Sequence, residues 1–115
     1  AYKGYARSLD LFNDGSVVLV PMPGHTAGSI GMFVTVDSGK TYFFIGDVAW
    51  KKAAVEVGAA KFWAASVIVD RDREQTQRSV EQVRAVTQKY PDLVVAPAHD
   101  AAVQDALGYF PNWVR

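Results

Sequence analysis

Cysteine is absent from the 115-residue chain. That absence excludes disulfides, thiolate metal ligands and cysteine nucleophiles together. Histidine is scarce, occurring only as His25 and His99. Any metal would have to be held by these two, by carboxylates or by backbone oxygens. Net charge is missing as well, with 12 basic residues balancing 12 acidic ones. The basic face that nucleic-acid binding requires is therefore not expected. No apolar run approaches the roughly 20 residues that span a bilayer, and no signal-peptide pattern is visible. The expectation is a chain with no nucleic-acid or membrane partner, located in the cytoplasm.

What is present is half apolar residues in a length typical of one small domain. Ser8 to Phe12 reads as a short strand, and Asn13-Asp14-Gly15 as a hairpin-type turn. Ser16 to Pro21 is a continuous β-branched run, consistent with a buried strand. Pro23 to Ser29 packs a proline, two glycines and small polar residues together and reads as a loop. Ile30 to Val36 and Thr41 to Ile45 flank the tight turn Asp37–Lys40, a β-hairpin. Val48 to Ser66 is alanine-rich and reads as mixed loop and helix.

Asp70 to Lys89 carries the clearest helical signal. Asp72 is placed as an N-cap, with Gln75 three residues on. Thr76, Val80, Val83 and Thr87 share one stripe, with Val86 and Tyr90 beside it, and Pro91 stops the helix. Leu93 to Ala96 is a short apolar strand, and Ala101 to Leu107 a short helix. The order is that of one domain, or part of one, of class α/β (α+β).

Three polar residues stand just past the ends of predicted strands: His25, Asp47 and His99. In an antiparallel hairpin the end of the second strand lies beside the start of the first. Asp47 ends one strand and the His25 loop runs into the other, so hairpin geometry alone brings Asp47 near that loop. His99 is placed only by analogy with strand edges, where α/β sheets carry ligands. Each residue also has an ordinary role open to it. A lone histidine after a strand is commonly a hydrogen-bonded loop residue, an aspartate after glycine commonly closes a turn, and Asp100 suits the cap of the last helix. Gly24 and Gly28, flanking His25 and Thr26, permit unusual backbone dihedrals and close approach to a ligand.

The stretch Pro23-Gly24-His25-Thr26-Ala27-Gly28-Ser29 resembles the P-G-H-T-x-G-[SH] motif of the metallo-β-lactamase superfamily. Phe43-Phe44-Ile45-Gly46-Asp47 is similar to its strand-G-D motif, and Val94-Val95-Ala96-Pro97-Ala98-His99-Asp100 to its final strand followed by [GA]-H-[DE]. All three occur in family order, covering about Ser16 to Asp100. The resemblance implies part of an αββα sandwich, here mainly one mixed or antiparallel sheet with flanking helices. It implies a two-metal site, zinc or in some members iron or manganese. His25 matches a ligand of the first metal, His99 a ligand of the second, and Asp47 the catalytic carboxylate bridging both. Imidazole and carboxylate suit zinc. In the complete protein a bridging hydroxide would attack an ester, thioester, lactone or amide carbonyl of a small molecule.

The superfamily's other signature, H-x-H-x-D-H, precedes the first motif, and the 24 residues before His25 hold no histidine. The chain is therefore expected to be one partial domain, residues 1–115, the C-terminal portion of such a hydrolase. Two protein ligands per metal fall short of the three usual at catalytic zinc, so the isolated chain is expected to bind zinc poorly and to be inactive. A non-catalytic module with a structural or interaction role is the alternative. Apolar strands at Val17–Val20, Met32–Val36 and Phe43–Ile45 are expected to leave a patch or edge that seeks a partner, either a second copy or an N-terminal half.

Within the superfamily a glyoxalase-II-like thioesterase competes, although only 15 residues follow Asp100 to bind a thiol moiety. Trp50 stands where some lactonases of the superfamily place a tyrosine, and its lack of a hydroxyl argues against quorum-lactone chemistry. Its simplest role is packing or lining a pocket. Lys51-Lys52 reads as solvated surface before an anion site, and Phe62 and Trp63 as packing before a substrate groove. Asp70 and Asp72 both read as helix caps rather than ligands. His99-Asp100 is not a catalytic dyad, because no serine nucleophile stands in a matching motif.

Overall fold

The structure, a computed structural model, describes residues 1–58 and 68–114. The strands are β1 (Leu9–Asp10), β2 (Val17–Pro21), β3 (Ile30–Thr35), β4 (Thr41–Gly46) and β5 (Val94–Pro97). The helices are α1 (Lys52–Glu56), α2 (Arg73–Lys89) and α3 (Ala101–Leu107). The strands form one sheet in the order β1-β2-β3-β4-β5. The first four make an antiparallel meander, and β5 joins β4 in parallel after the crossover through α1 and α2. None of the described helices is long and apolar enough to cross a membrane.

Alternation along the strands divides the sheet into two faces. On one, Val18, Phe33, Phe43 and Val95 stand opposite one another across four strands. The rings of Phe33 and Phe43 stack with centroids 3.8 Å apart, and Tyr5 meets both edge-on. The α2 stripe of Val80, Val83 and Val86 joins the same buried cluster. Gly31 lies opposite Val20 because a side chain there has no room; a Cβ would come 2.2 Å from Met22 Sδ.

The other face carries the row Leu9, Leu19, Met32, Phe44 and the row Val17, Val34, Tyr42. Leu9 is 58% exposed, and Val17, Leu19, Met32, Val34 and Phe44 are only half-buried. The apolar strands thus have one face covered by α2 and one left partly open among the described residues.

Two elements differ from the sequence expectation. The first strand is two residues long rather than Ser8–Phe12. The loop that follows is built from side chains: the Gly15 amide donates to Asp10 Oδ2 at 2.9 Å, and the Ser16 amide and hydroxyl donate to Asp14 Oδ1. Asn13 and Gly15 have positive φ, which ends the ladder there. The second concerns Asp70. Only Asp72 caps α2, accepting from the Gln75 amide at 2.9 Å; Asp70 is engaged elsewhere. Of the stretch from Val48 to Ser66, Lys52–Glu56 is helical, while Phe62 and Trp63 lie outside the described residues.

Candidate metal centre

The His25 loop is held by bonds within itself and to α2. Met22 donates to the Ser29 carbonyl at 2.9 Å, and Gly24 to the Thr26 carbonyl at 3.1 Å. The hydroxyls of Thr26 and Ser29 lie 2.9 Å apart. From the other side, the amides of Arg71 and Asp72 donate to the carbonyls of His25 and Gly24 at 3.1 and 2.9 Å. The Ser79 hydroxyl donates to the Pro23 carbonyl at 2.8 Å. Gly24 makes this docking possible. Its φ is +143°, and a Cβ would lie 2.4 Å from the Thr76 amide nitrogen. The close approach is therefore to α2 rather than to a ligand. Gly28 differs: its φ is ordinary and open space surrounds it.

Asp47 follows β4 through Gly46, whose φ of +55° turns the chain. The Ala98 amide donates to the Gly46 carbonyl at 3.1 Å, which ties the end of β5 to the end of β4. These two ties bring the three residues together. His99 Nε2 lies 2.8 Å from Asp47 Oδ1, and His25 Nε2 lies 3.7 Å from Asp47 Oδ2. The hairpin argument for Asp47 and His25 is met, and the parallel strand brings His99 to the opposite oxygen.

Distance and direction disagree at one contact. His99 is within ion-pairing distance of Asp47 Oδ1, yet that oxygen is buried with no hydrogen-bond partner among the described residues. A buried carboxylate oxygen without a donor is costly. A cation bound by this oxygen and by an imidazole nitrogen beside it would satisfy the oxygen, so the donor chemistry fits a metal. The number of donors does not complete one: among the described residues no group of three or more His, Asp or Glu is disposed to hold an ion.

Neighbouring residues shape the surroundings. The Trp50 indole meets His99 edge-on, with centroids 6.1 Å apart, the packing role expected for it. Asp100 accepts from the Val103 amide, capping α3, and from the Lys52 amide at 2.8 Å, anchoring α1. The Lys52 amide foremost holds its carboxyl below the usual range. Asp100 is thus structural and forms no dyad with His99.

The residue that sequence reasoning assigned otherwise is Asp70. Its side chain is fully buried, and Oδ1 lies 3.0 Å from His25 Nδ1. A signal existed: a helix has one N-cap, and Asp72 occupies it, so Asp70 is left for another task. A cavity of about 670 Å³ among α1, α3, β5 and Trp113 includes none of His25, Asp47 or His99. Among the described residues the cluster with ligand chemistry lies outside this hollow, and the chemistry decides.

No family model and no curated protein matches the chain. Solved structures do. An N-acyl homoserine lactone hydrolase, with the product N-hexanoyl-L-homoserine bound at its catalytic metal centre, superposes with a TM-score of 0.71 at 18% identity, over 93% of this chain and 39% of that one. A variant of AiiA from B. thuringiensis with N-decanoyl-L-homoserine at the active site gives the same values. A quorum-quenching N-acyl homoserine lactone hydrolase gives 0.68 at 21% identity, over 86% of this chain and 38% of its own. The chain thus spans about two-fifths of the length of these enzymes. With one mixed sheet, flanking helices and this superposition, the chain has the fold of part of these hydrolases, matching the part of the metallo-β-lactamase sandwich that its three motifs resemble.

Proposed function

We propose that the chain supplies one side of a two-metal hydrolase centre, with His25 ligating one metal, His99 the other and Asp47 bridging them. The observation that carries this reading is Asp47, flanked on its two oxygens by two imidazoles, one oxygen buried and without a hydrogen-bond partner among the described residues. When bound, zinc (or iron or manganese) would activate water near neutral pH and stabilise the oxyanion formed from a carbonyl. The chain's own contributions are narrower. Asp47 fixes the spacing of the two ligand positions, the α2 docking fixes the His25 loop, and Trp50 walls the centre beside His99.

The substrate class is a small ester, thioester, lactone or amide. The likeness to lactone hydrolases supports the lactone among these. Trp50, which has no hydroxyl to assist at the carbonyl, weighs against it, and a thioesterase remains the competitor. Two ligands per metal are too few for catalytic zinc. The chain by itself is therefore a weak zinc site and lacks enzyme-like activity. The remaining donors come from an N-terminal portion or a second copy, and the half-open sheet face, centred on Leu19, Met32 and Phe44, is where such a partner would pack. This makes residues 1–115 one partial domain.

The absence of a three-donor cluster among the described residues also favours a second reading, a non-catalytic interaction module. Zinc titration, solution mass and hydrolysis of an aryl ester and an acyl lactone, measured on one sample, separate the two. Zinc binding that His25→Ala and His99→Ala each weaken supports the hydrolase reading. A zinc-free chain, self-associated through the sheet face, supports the interaction module. Enzyme-like turnover abolished by His25→Ala would show the expectation of inactivity to be wrong.

A further inference from the structure

We infer that Asp70 is the positioning residue of His25, its carboxylate fixing the imidazole in the Nδ1–H form and aiming the Nε2 lone pair at Asp47. Asp70 Oδ1 lies 3.0 Å from His25 Nδ1, with the aspartate side chain fully buried and the imidazole 25% exposed. An ionised carboxylate only accepts hydrogen bonds. The proton of a neutral ring must then reside on Nδ1, which leaves Nε2 as the bare nitrogen. Nε2 is the atom that faces Asp47 Oδ2, at 3.7 Å.

The backbone fixes the partners on both sides. Arg71, the next residue, donates its amide to the His25 carbonyl at 3.1 Å, and Asp72 donates to the Gly24 carbonyl. Side chain and main chain of the same short segment thus grip the same residue. A side-chain contact backed by two backbone bonds has little freedom to drift, and the ring is held in both tautomer and orientation. Ligating histidines characteristically donate their second nitrogen in this manner, and loss of the acceptor costs about 10–100-fold in metal affinity. That consequence rests on the proposed metal centre; the tautomer assignment does not.

The test uses the full chain. Long-range ¹H–¹⁵N NMR on the metal-free protein, at a pH where the rings are neutral, reads the tautomer of His25, with His99 as an internal reference. The wild-type chain is expected to show His25 as Nδ1–H. Asp70→Ala should shift it toward Nε2–H and leave His99 unchanged. Asp70→Asn, whose amide oxygen still accepts, should retain the Nδ1–H form. Zinc alone, titrated by competition with a chromophoric chelator, should bind about 10–100-fold more weakly to Asp70→Ala, with Asp70→Asn restoring part of the loss. An Nε2–H ring in the wild type overturns the inference even if Asp70→Ala does not fold. So does a folded Asp70→Ala chain with an unchanged tautomer. A wild-type chain with the Nδ1–H ring whose weak zinc binding is unchanged by His25→Ala upholds the role of Asp70 and counts against His25 as a ligand instead.

Discussion

Gly24→Ala provides a sharp test of how the His25 loop is held. The new methyl would lie 2.4 Å from both the amide nitrogen and Oγ1 of Thr76, and 2.5 Å from its Cα. Two of these atoms belong to the backbone of the first turn of α2, which cannot rotate away. The backbone at Gly24, with φ of +143°, is also one that side chains disfavour. Such strain costs about 1–3 kcal/mol, and overpacking a filled site costs about 1–3 kcal/mol more. Together they take about 2–6 kcal/mol from a domain whose whole stability is of order 5–15 kcal/mol.

Thermal unfolding followed by circular dichroism should show Tm lower by at least about 8 °C, taking about 4 °C per kcal/mol at this length. Gly28→Ala is the control. It is the other glycine of the same motif, with ordinary φ and open space, and should shift stability by less than about 0.5 kcal/mol. Equal melting of the two variants would refute the docking argument, because it assigns the cost to the contact with Thr76 and to the backbone that Gly24 adopts there.

Other perturbations follow from the same geometry. Phe43→Ala, which removes a fully buried ring stacked on Phe33, should cost about 3–5 kcal/mol in chemical denaturation. Leu19→Lys on the half-open face should leave the fold intact and, if copies associate there, shift the solution mass toward monomer in ultracentrifugation. Asp100 titrates below its ordinary value of 3.8. Its contribution is therefore complete above that value and is lost as the pH falls through the lower folded one. Asp100→Asn should flatten this acid limb in unfolding measured from pH 5 to pH 2, and a limb unchanged in slope would argue against the ties to Lys52 and Val103.

The parts of the fold that the sequence discloses are those decided locally. The hairpin from Ile30 and the α2 stripe with its cap at Asp72 depend on neighbours within a few residues, so periodicity and capping residues identify them. The nearness of Asp47 to His25 follows from hairpin geometry for the same reason. The parallel pairing of β5 to β4 does not, since the crossover separates them, and His99 was placed only by analogy and resemblance. Asp70 was misassigned because its partner is distant in sequence. The reason for Gly24 was invisible likewise, because the atoms it makes room for belong to Thr76. The short β1 was missed because Asp10 and Asp14 bind loop amides in competition with the ladder.

The bond between His25 and Asp70 closes a loop of 45 residues, that between Pro23 and Ser79 one of 56, and that between Lys52 and Asp100 one of 48. Contacts of such sequence separation form slowly, after local turns and helices. The donors around Asp47 are therefore gathered only when the chain as a whole has folded, and an unfolded chain offers them singly. An ion or small molecule that bridges them binds the native state and not the unfolded one. At a hundredfold excess over its dissociation constant it would add about 2.7 kcal/mol to stability, fastening together the two ends of a long chain path.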